Sequence, residues 1–289
     1  MSGAIALVTG VNGNVGSTIA ARLVREGWRV RGLVRGPNTS PIFFETARGD
    51  LADRGALAVA ARGVDLTVHC AAAFSSDAEA CRRSNVEGVA NLVNALFAGG
   101  CRLLVHVSTI SVYDDAVGPN FDEDSALWSG SGAADVYGRT KAESERIIAA
   151  ATATRRLAAV ILRPALVASM HPRSRWGPQA VERAAASPAS ILPYPEVPYV
   201  HVDNLAEAVV LAARVPAARG RAYNVVDGIG SGHEYLDAVY AAAGRPAPPI
   251  PPDAPVFRYE AQRIRDELGY APIERWQAFL AEIRSYRRR

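Results

Sequence analysis

The chain has 289 residues, of which 49% are hydrophobic and 21% are charged, and its formal net charge is +3. This length allows one large domain or two coupled ones with a sizeable core, and so small a net charge gives no argument for a nucleic-acid surface. No apolar stretch reaches the roughly 18 residues of a membrane span, and a strand-like run begins near the N-terminus, so neither a membrane anchor nor a signal peptide is expected. Cys70, Cys81 and Cys101 are odd in number and lack metal-ligand spacing, which favours reduced thiols, no metal site and a cytoplasmic location.

Short apolar runs and helical patterns alternate along most of the chain. Helical patterns are found at 14–27, 85–100, 135–150 and 203–215. The runs that predict strands are 4–8, 29–34, 66–71, 102–108, 158–163, 198–202 and 222–226, with a further short strand just before Gly49. This alternation indicates βαβ units, which build an α/β fold with a doubly wound parallel sheet covered by helices on both faces. A sheet of this kind binds ligands at the carboxyl ends of its strands.

Two regions interrupt the alternation. Residues 166–197 are rich in Pro, Ser and Arg, and residues 246–255 hold six prolines, which predict a stiff extended connector. We therefore expect a sheet domain and a small discontinuous lobe that closes over the sheet edge. The expected boundaries are 1–165 with 198–228 for the sheet domain, and 166–197 with 229–289 for the lobe.

A glycine-rich turn, TGVNGNVG at residues 9–16, lies between the first strand and the first helix. Its GxxGxxG spacing is one residue longer at the first gap than the usual dinucleotide fingerprint. The glycines let the backbone turn tightly, approach a pyrophosphate and pack the helix on the sheet. Alone the turn is a weak signal, but its place after an N-terminal strand favours a dinucleotide site. The expected contacts come from Gly10, Asn12, Gly13, Asn14 and Val15.

The end of the second strand bears on the choice between NAD and NADP. NAD-preferring sites carry an acidic residue there for the ribose 2′-hydroxyl, but Val34 takes that position and Arg35 follows it. A guanidinium suits a 2′-phosphate and favours NADP(H) over NAD(H); the alternative is that Arg35 is one more surface arginine. Asp50 and Leu51 would lie beside the adenine, although Asp50 could equally cap the segment that starts near Ala52.

Lys141 is the only lysine among 32 basic residues, and it follows Tyr137 by four positions in DVYGRTKAE (135–143). Residues four apart share a helix face. A phenol has an ordinary pKa of about 10, and a fixed ammonium nearby would lower that pKa and so suit the pair to acid–base chemistry. The ammonium is also compact enough to reach ribose hydroxyls, whereas a planar guanidinium is wider. An ordinary exposed pair is the alternative, but the glycine turn and the single lysine favour catalysis.

Hydroxyl side chains follow the fifth strand, at the same sheet edge. Ser108, Thr109 and Ser111 lie in VHVSTISVYD (105–114), and one of them is expected to orient a substrate carbonyl. Each alone is weak evidence, because Ser and Thr are common at strand ends as local backbone partners.

Together these motifs resemble the extended short-chain dehydrogenase/reductases, the NAD(P)-dependent epimerase/dehydratase group, which have a Rossmann-type fold. The order of motifs is that of the family, and the match spans nearly the whole chain. The matching stretches are TGVNGNVG, GDL, HCAAA (69–73), SNVEGVANLVNA (84–95), VSTISVY, YGRTK, LRP (162–164), YVHVDNLAEAV (199–209) and RDELGYAPI (265–273).

The resemblance implies roles for single residues. It makes Tyr137 the acid–base group, Lys141 its partner and Thr109 the hydroxyl that holds the substrate oxygen. It also implies a small-molecule substrate and allows a homodimer through the helices at 85–98 and 135–150. Further positions implied are Asn85, which would tie neighbouring strands or a water, and the dinucleotide-lining Ala71, Ala72, Ala73 and Pro164.

Two activities stay open. One is an NAD(P)(H)-dependent oxidoreductase that transfers hydride between nicotinamide and a small-molecule carbonyl or alcohol. The other is a nucleotide-sugar epimerase or dehydratase that uses the same residues with a transiently reduced bound cofactor. The absence of an arginine just before HVDN and the short segment 166–197 weaken the second. A dinucleotide-sensing regulator is disfavoured because regulators on this fold often lose the tyrosine or lysine.

Four residues of the 166–197 segment bear on substrate binding. They could clamp a phosphate or a carboxylate, or they could lie in a solvated loop. These residues are His171, Arg173, Arg175 and Trp176.

Overall fold

The computed structural model describes residues 3–37, 45–129, 136–154, 157–187, 189, 191–192 and 194–287. The strands are, in chain order, β1 (Ile5–Thr9), β2 (Arg29–Val34), β3 (Glu45–Arg48), β4 (Leu66–His69), β5 (Leu103–Val107), β6 (Asn120–Phe121), β7 (Ala158–Pro164), β8 (Leu166–Ala168), β9 (Glu196–His201), β10 (Ala222–Val225), β11 (Gly228–Ser231) and β12 (Arg258–Tyr259). The α-helices are α1 (Asn14–Arg25), α2 (Arg54–Ala60), α3 (Ala78–Cys81), α4 (Gly88–Gly99), α5 (Val136–Ala153), α6 (Pro178–Ala186), α7 (Val202–Arg214), α8 (Gly232–Ala243), α9 (Gln262–Leu268) and α10 (Trp276–Ser285). Asp135, the predicted start of the helix that carries Tyr137, lies outside the described residues.

A seven-stranded parallel sheet forms the centre of the molecule. Its strand order is β10-β7-β5-β4-β1-β2-β3, and every neighbouring pair is parallel. This confirms the predicted doubly wound sheet. The chain runs outward in one direction from β1 to β3 and in the other from β4 to β10, so the switch point where such sheets bind ligands lies between β1 and β4.

Helices cover both faces of this sheet because its strands are apolar on both sides. Along β1, the fully buried Ala6 and Val8 join the core under α1 and α7, whereas Leu7 joins the core under α2, α4 and α5. Side chains of a strand alternate between faces, so a strand buried on both faces reads as a continuous apolar run. A homodimer through α4 and α5 stays a prediction.

The strand predicted at 198–202 exists as β9, but it does not enter the central sheet. It pairs in parallel with β8 and antiparallel with β11 in a separate three-stranded sheet. Tyr199 packs into a second hydrophobic core, while Val200 packs into the core of the central sheet. An apolar run predicts a strand but not the strand that it pairs with, so the sequence could not show which sheet β9 joins.

The second core joins distant parts of the chain. Residues of β8 and α6 pack there with residues of α8 and α10, including Val181, Leu236 and Phe279. The proline-rich stretch 246–255 contains neither helix nor strand, and it turns at residues 252–253, where the Ala254 amide donates to the Pro251 carbonyl at 3.0 Å. Segment 166–197, as far as it is described, therefore shares a core with the C-terminal helices.

The expectations about the cysteines and about membrane spans concern the described residues as follows. Cys70, Cys81 and Cys101 are free thiols, and burial raises the pKa of the Cys101 thiol. No helix within the described ranges is long and apolar enough to cross a membrane.

Candidate active site

The carboxyl ends of the central strands meet at one edge, and the predicted site residues follow one another along it. Reading from β7 to β3, the edge carries Pro164, Thr109, residues 71–73, Gly10, Arg35 and Asp50. Residues far apart in sequence are thus neighbours, because each follows a strand of the same parallel sheet.

The glycine turn brings the ends of β1 and β4 into direct backbone contact. Gly10 has φ +69°, and a Cβ on it would lie 2.8 Å from the Ala71 amide nitrogen. A Cβ on Gly16 would lie 2.3 Å from the Gly10 carbonyl oxygen, so α1 begins against the turn itself. The helix starts after Gly13 without a side-chain cap, which leaves its first amides for another acceptor. This cradle fits a dinucleotide pyrophosphate.

Asn12 and Asn14 take different places in this turn. Asn12 donates from its side-chain amide to the Pro37 carbonyl at 3.0 Å and so ties the turn to the loop after β2. Asn14 Oδ1 is buried and has no hydrogen-bond partner within the described ranges, while Val15 packs against the core. An uncapped helix start with an unsatisfied buried amide beside it is consistent with a polar ligand.

Arg35 and Asp50 lie next to each other at the far end of the edge. Arg35 Nε is 3.8 Å from Asp50 Oδ2, and the two side chains are 84% and 49% exposed. Asp50 Oδ1 accepts from the Ala52 amide at 2.9 Å, which realises the capping alternative, although the cap of α2 itself is Asp53. Leu51 is buried in the core, so its side chain is used in packing. The adenine contacts stay predictions.

The alanine run after β4 is fixed by Asn85, which is 1% exposed. Asn85 Oδ1 accepts from the Ala73 amide at 2.8 Å, and its amide group donates to the Ala73 carbonyl at 2.9 Å and to Thr140 Oγ1 at 3.0 Å. Asn85 therefore ties the turn after β4 to helix α5.

The start of α5 approaches the turn after β5 closely. A Cβ on Gly138 would lie 2.2 Å from the Ser111 carbonyl oxygen, so the residue after Tyr137 must be glycine for the turn to sit against α5. Thr109 Oγ1 accepts from the Ser111 amide at 3.1 Å, which fixes the hydroxyl at the end of β5. The Tyr137 ring is half-buried and contacts the ring of Phe74 at 4.6 Å between centroids.

Lys141 points inward and is 2% exposed. Its Nζ donates to the Val107 carbonyl at 2.9 Å and lies 3.1 Å from His106 Nε2. Burial lowers the pKa of Lys141 to about 8, although the Glu145 carboxylate counteracts part of that effect. Two of three donors are thus directed at neutral groups of β5. Contact of the third with a ribose stays a prediction.

Two buried histidines, His69 and His106, lie near Lys141, and neither was predicted from the sequence. His69 and His106 are paired in register on β4 and β5, and their rings stack at 5.2 Å. Burial, followed by the charge of Lys141, lowers the pKa of His69 to about 3 and that of His106 well below its ordinary value. Both rings are therefore neutral, and His106 accepts at Nε2. Thr9 Oγ1, 2.6 Å from His69 Nδ1, accepts from the Ala71 amide, so the network reaches the turn after β4.

A buried ion pair lies one helical turn beyond Lys141. Arg163 binds Glu145 through Nη2–Oε2 at 2.7 Å, and Ser108 Oγ donates to Glu145 Oε1 at 2.5 Å. Arg163 also donates to Tyr113 Oη at 2.9 Å, and Tyr113 in turn donates to Asn224 at 2.6 Å. The network joins α5 to β5, β7 and β10. The sequence showed Arg163 and Tyr113 as motif residues, but their partners are 18 to 111 positions away.

One of the four residues singled out in segment 166–197 contacts Phe74, the residue whose ring touches Tyr137. Arg175 lies over the ring of Phe74, with Cζ 3.9 Å from the ring centroid, and 6.0 Å from that of Trp176. His171 accepts at Nδ1 from the Arg173 amide, so those two residues form a local turn. Phe74 has no motif signal in the sequence, because only the fold brings it to the tyrosine.

This chain is similar to known proteins in sequence and in structure. A family model described as the NAD dependent epimerase/dehydratase family matches residues 6–226. A 2-alkyl-3-oxoalkanoate reductase from Stenotrophomonas maltophilia is 32% identical over 268 residues, which cover 83% of this chain and 76% of that protein. A UDP-glucose 4-epimerase from Streptomyces lividans is 29% identical over 306 residues, covering 92% and 91%. The structure of a short-chain dehydrogenase/reductase superfamily protein from Agrobacterium tumefaciens with bound NAD has a TM-score of 0.78 and 25% identity, covering 97% and 96%.

Proposed function

The chain belongs to the NAD-dependent epimerase/dehydratase family, and we propose that within it the protein is an NADPH-dependent reductase of a small-molecule carbonyl. The family assignment confirms the resemblance drawn from the motifs and makes the chain an enzyme of the NAD(P)-dependent reductases, epimerases and dehydratases. The observation that carries the proposal is the arrangement of Tyr137, Thr109 and buried Lys141 at the edge where the glycine turn also lies.

Each residue of the proposed site has a separate task. The nicotinamide supplies the hydride when it is bound. Tyr137 donates its hydroxyl proton to the carbonyl oxygen as negative charge builds up there, and Thr109 donates a hydrogen bond to the same oxygen. Lys141, held by Val107 and His106, keeps a positive charge beside the phenol and offers its remaining donor to the nicotinamide ribose. The carbonyl becomes an alcohol, and a proton from solvent restores Tyr137.

Two observations support reduction over a nucleotide-sugar reaction. The relative from Stenotrophomonas maltophilia is a reductase of 2-alkyl-3-oxoalkanoates, and the motif before His201 lacks an arginine for a nucleotide diphosphate. The Tyr137 ring also contacts an aromatic ring, Phe74, which suits an apolar part of a substrate. The small lobe built on segment 166–197 and the C-terminal helices would hold that substrate.

NADP(H) is the proposed cofactor, in preference to NAD(H). Arg35 follows β2, where a ribose 2′-substituent is expected, and its side chain is 84% exposed. Asp50 approaches it only to 3.8 Å, which leaves the guanidinium able to pair with a phosphate as well. A guanidinium binds phosphate through two parallel hydrogen bonds, and this contact would favour the phosphorylated cofactor.

Replacing Tyr137 by Phe tests the proposal. We expect NADPH oxidation with a reducible ketone to fall by about 10²- to 10⁴-fold, because the proton donor is lost, while NADPH binding measured by fluorescence stays within about twofold. Tyr286→Phe, which removes a hydroxyl from the distant contact with Glu182, is the matched control and should keep full activity. Undiminished turnover by Tyr137→Phe would refute the assignment.

The epimerase or dehydratase alternative makes a different prediction for the purified protein. Such an enzyme returns the hydride to its substrate, so its dinucleotide stays bound and no net redox change occurs. Mass spectrometry of the denatured protein would detect a retained dinucleotide at about one per chain. The reductase proposal predicts none after extensive dialysis, together with stoichiometric oxidation of added NADPH.

A further inference from the structure

The loop between β8 and α6 brings a positive charge to the catalytic tyrosine. The Phe74 ring is 49% exposed and lies between the Tyr137 ring, at 4.6 Å, and the Arg175 guanidinium, at 3.9 Å. A substrate whose carbonyl lies at Tyr137 therefore has an aromatic surface beside it and a cation just beyond that surface.

This loop forms a hydrogen-bonded turn whose residue Ser174 is buried, although Arg173 and Arg175 are exposed. Ser174 is fully buried; its amide donates to the His171 carbonyl at 2.7 Å, and its Oγ accepts from the Gly177 amide at 3.2 Å. A Cβ on Gly177 would lie 2.1 Å from the Ser169 carbonyl oxygen, so the turn closes tightly on the end of β8.

Two hydrogen bonds hold the backbone carbonyls of Arg175 and Trp176. Arg183 of α6 donates to the Arg175 carbonyl at 2.8 Å, and the buried Tyr235 of α8 donates to the Trp176 carbonyl at 2.9 Å. Only the side chain of Arg175 extends from this frame toward Phe74. Fixing the backbone in advance reduces the entropy that a ligand must remove when it binds.

The chemistry of a stacked guanidinium determines what it can recognise. An arginine over an aromatic ring uses the face of its guanidinium in the contact. Its N–H donors lie in the guanidinium plane and match carboxylate or phosphate oxygens in pairs. A ligand that binds both partners would place an apolar chain on Phe74 and an oxyanion at Arg175.

We propose that Arg175 binds an oxyanionic group of the substrate, so that the enzyme acts on carbonyl compounds that carry a carboxylate or a phosphate a few carbon atoms from the reacting carbonyl. The proposal rests on the proposed reductase function, since it names the substrate class of the same site. Phe74 would hold the intervening chain, and Arg175 would set the distance between the anion and the carbonyl.

Three ketones with one carbon skeleton test this inference. The probes are 5-oxohexanoate, its neutral methyl ester and 5-oxohexyl phosphate, each assayed with NADPH by the wild type and by Arg175→Ala, Arg175→Lys and Arg219→Ala. Arg219 is the matched control because it is an exposed arginine of the segment between α7 and β10. The two anionic probes distinguish a carboxylate site from a phosphate site.

We expect the wild type to prefer an anionic probe to the ester. Arg175→Ala should raise KM for that probe by about 10- to 100-fold, the loss of a charge-assisted hydrogen bond, with kcat changed much less. KM for the ester and for NADPH should stay within about twofold. Arg175→Lys should recover part of the loss because it keeps the charge, and Arg219→Ala should behave as the wild type.

Equal effects of Arg175→Ala on the ester and on both anions would overturn the inference, as would a wild type that does not distinguish them. A rise in KM for NADPH alone would instead assign Arg175 to the cofactor and also overturn it. If no probe oxidises NADPH, the reductase function fails, but calorimetry still decides the role of Arg175. Hexanoate should then bind the complex of wild type with NADP⁺ at least about tenfold more tightly than the complex of Arg175→Ala, and equal affinities would reject the site.

Discussion

Two buried cations, Lys141 on α5 and Arg163 on β7, differ in their partners. Lys141 is 2% exposed and is held by a carbonyl oxygen and a neutral imidazole. The Arg163 side chain is 5% exposed and is held by a carboxylate, because its Nε donates to Glu145 Oε1 and its Nη2 donates to Oε2. Both charges are removed from water, which is costly unless a partner compensates.

The partners give the two cations opposite properties. Burial lowers the pKa of Lys141 to about 8. Burial by itself would also lower the pKa of Arg163, but the Glu145 carboxylate and then Tyr113 outweigh it and hold that pKa above its ordinary value. Arg163 therefore stays charged and joins strands to a helix, whereas Lys141 loses its proton at a lower pH than an ordinary lysine. Perturbed, incompletely compensated charges are typical of functional sites.

The largest loss of stability is expected when the Glu145 carboxylate is removed. Glu145→Ala leaves Arg163 buried without its counter-charge, so we expect the free energy of unfolding to fall by about 3–5 kcal/mol, measured by urea denaturation. Glu143→Ala, two residues earlier on α5 and paired with Arg82 at the surface, is the control and should change stability by less than about 1 kcal/mol. Equal effects of the two substitutions would show that the Arg163 pair is not structural.

Lys141, unlike Arg163, should make the stability of the protein depend on pH. Its pKa is near 8 in the folded protein and 10.5 ordinarily, so between these values the unfolded chain binds more protons and stability rises with pH. Relative to Lys141→Met, the wild type should therefore gain about 3 kcal/mol between pH 8 and pH 10.5. Denaturation of both proteins at several pH values measures this difference, and a constant difference would contradict the buried, uncompensated charge.

A third cation, Arg35, extends the comparison to the surface. It is exposed and close to Asp50, so its loss should not affect stability. We expect Arg35→Ala to raise KM for NADPH by about tenfold through loss of a phosphate contact, with KM for NADH nearly unchanged as the internal control. Equal KM changes for both cofactors would remove the reason for preferring NADP(H).

Local signals were enough to predict the central sheet, the glycine turn and the relation of Tyr137 to Lys141. Apolar runs gave the strands because both faces of the sheet are covered, and the helical spacing of four placed Tyr137 and Lys141 on one face of α5. The edge strand β3 is mostly exposed, and only its position before Gly49 indicated it.

Contacts between distant segments could not be predicted. His106 meets Lys141 across 35 positions, and Phe74 reaches Tyr137 only because β4 lies beside β5. The single lysine predicts contacts with a ribose and a phenol, but its contacts with Val107 and His106 could not be predicted. A narrow position between Val107 and His106 accepts an ammonium and would have to be rebuilt for a guanidinium.

The single lysine allows the central claim to be measured directly. Protein made with ¹³C-labelled lysine gives one side-chain Cε signal, whose chemical shift can be followed by NMR as a function of pH. Chemical modification is less informative, because the amine is already buried in the free protein. We expect Lys141 to titrate with a pKa of about 8 and its signal to shift when NADP⁺ binds. A pKa near 10.5 together with a signal that NADP⁺ leaves unchanged would contradict this expectation.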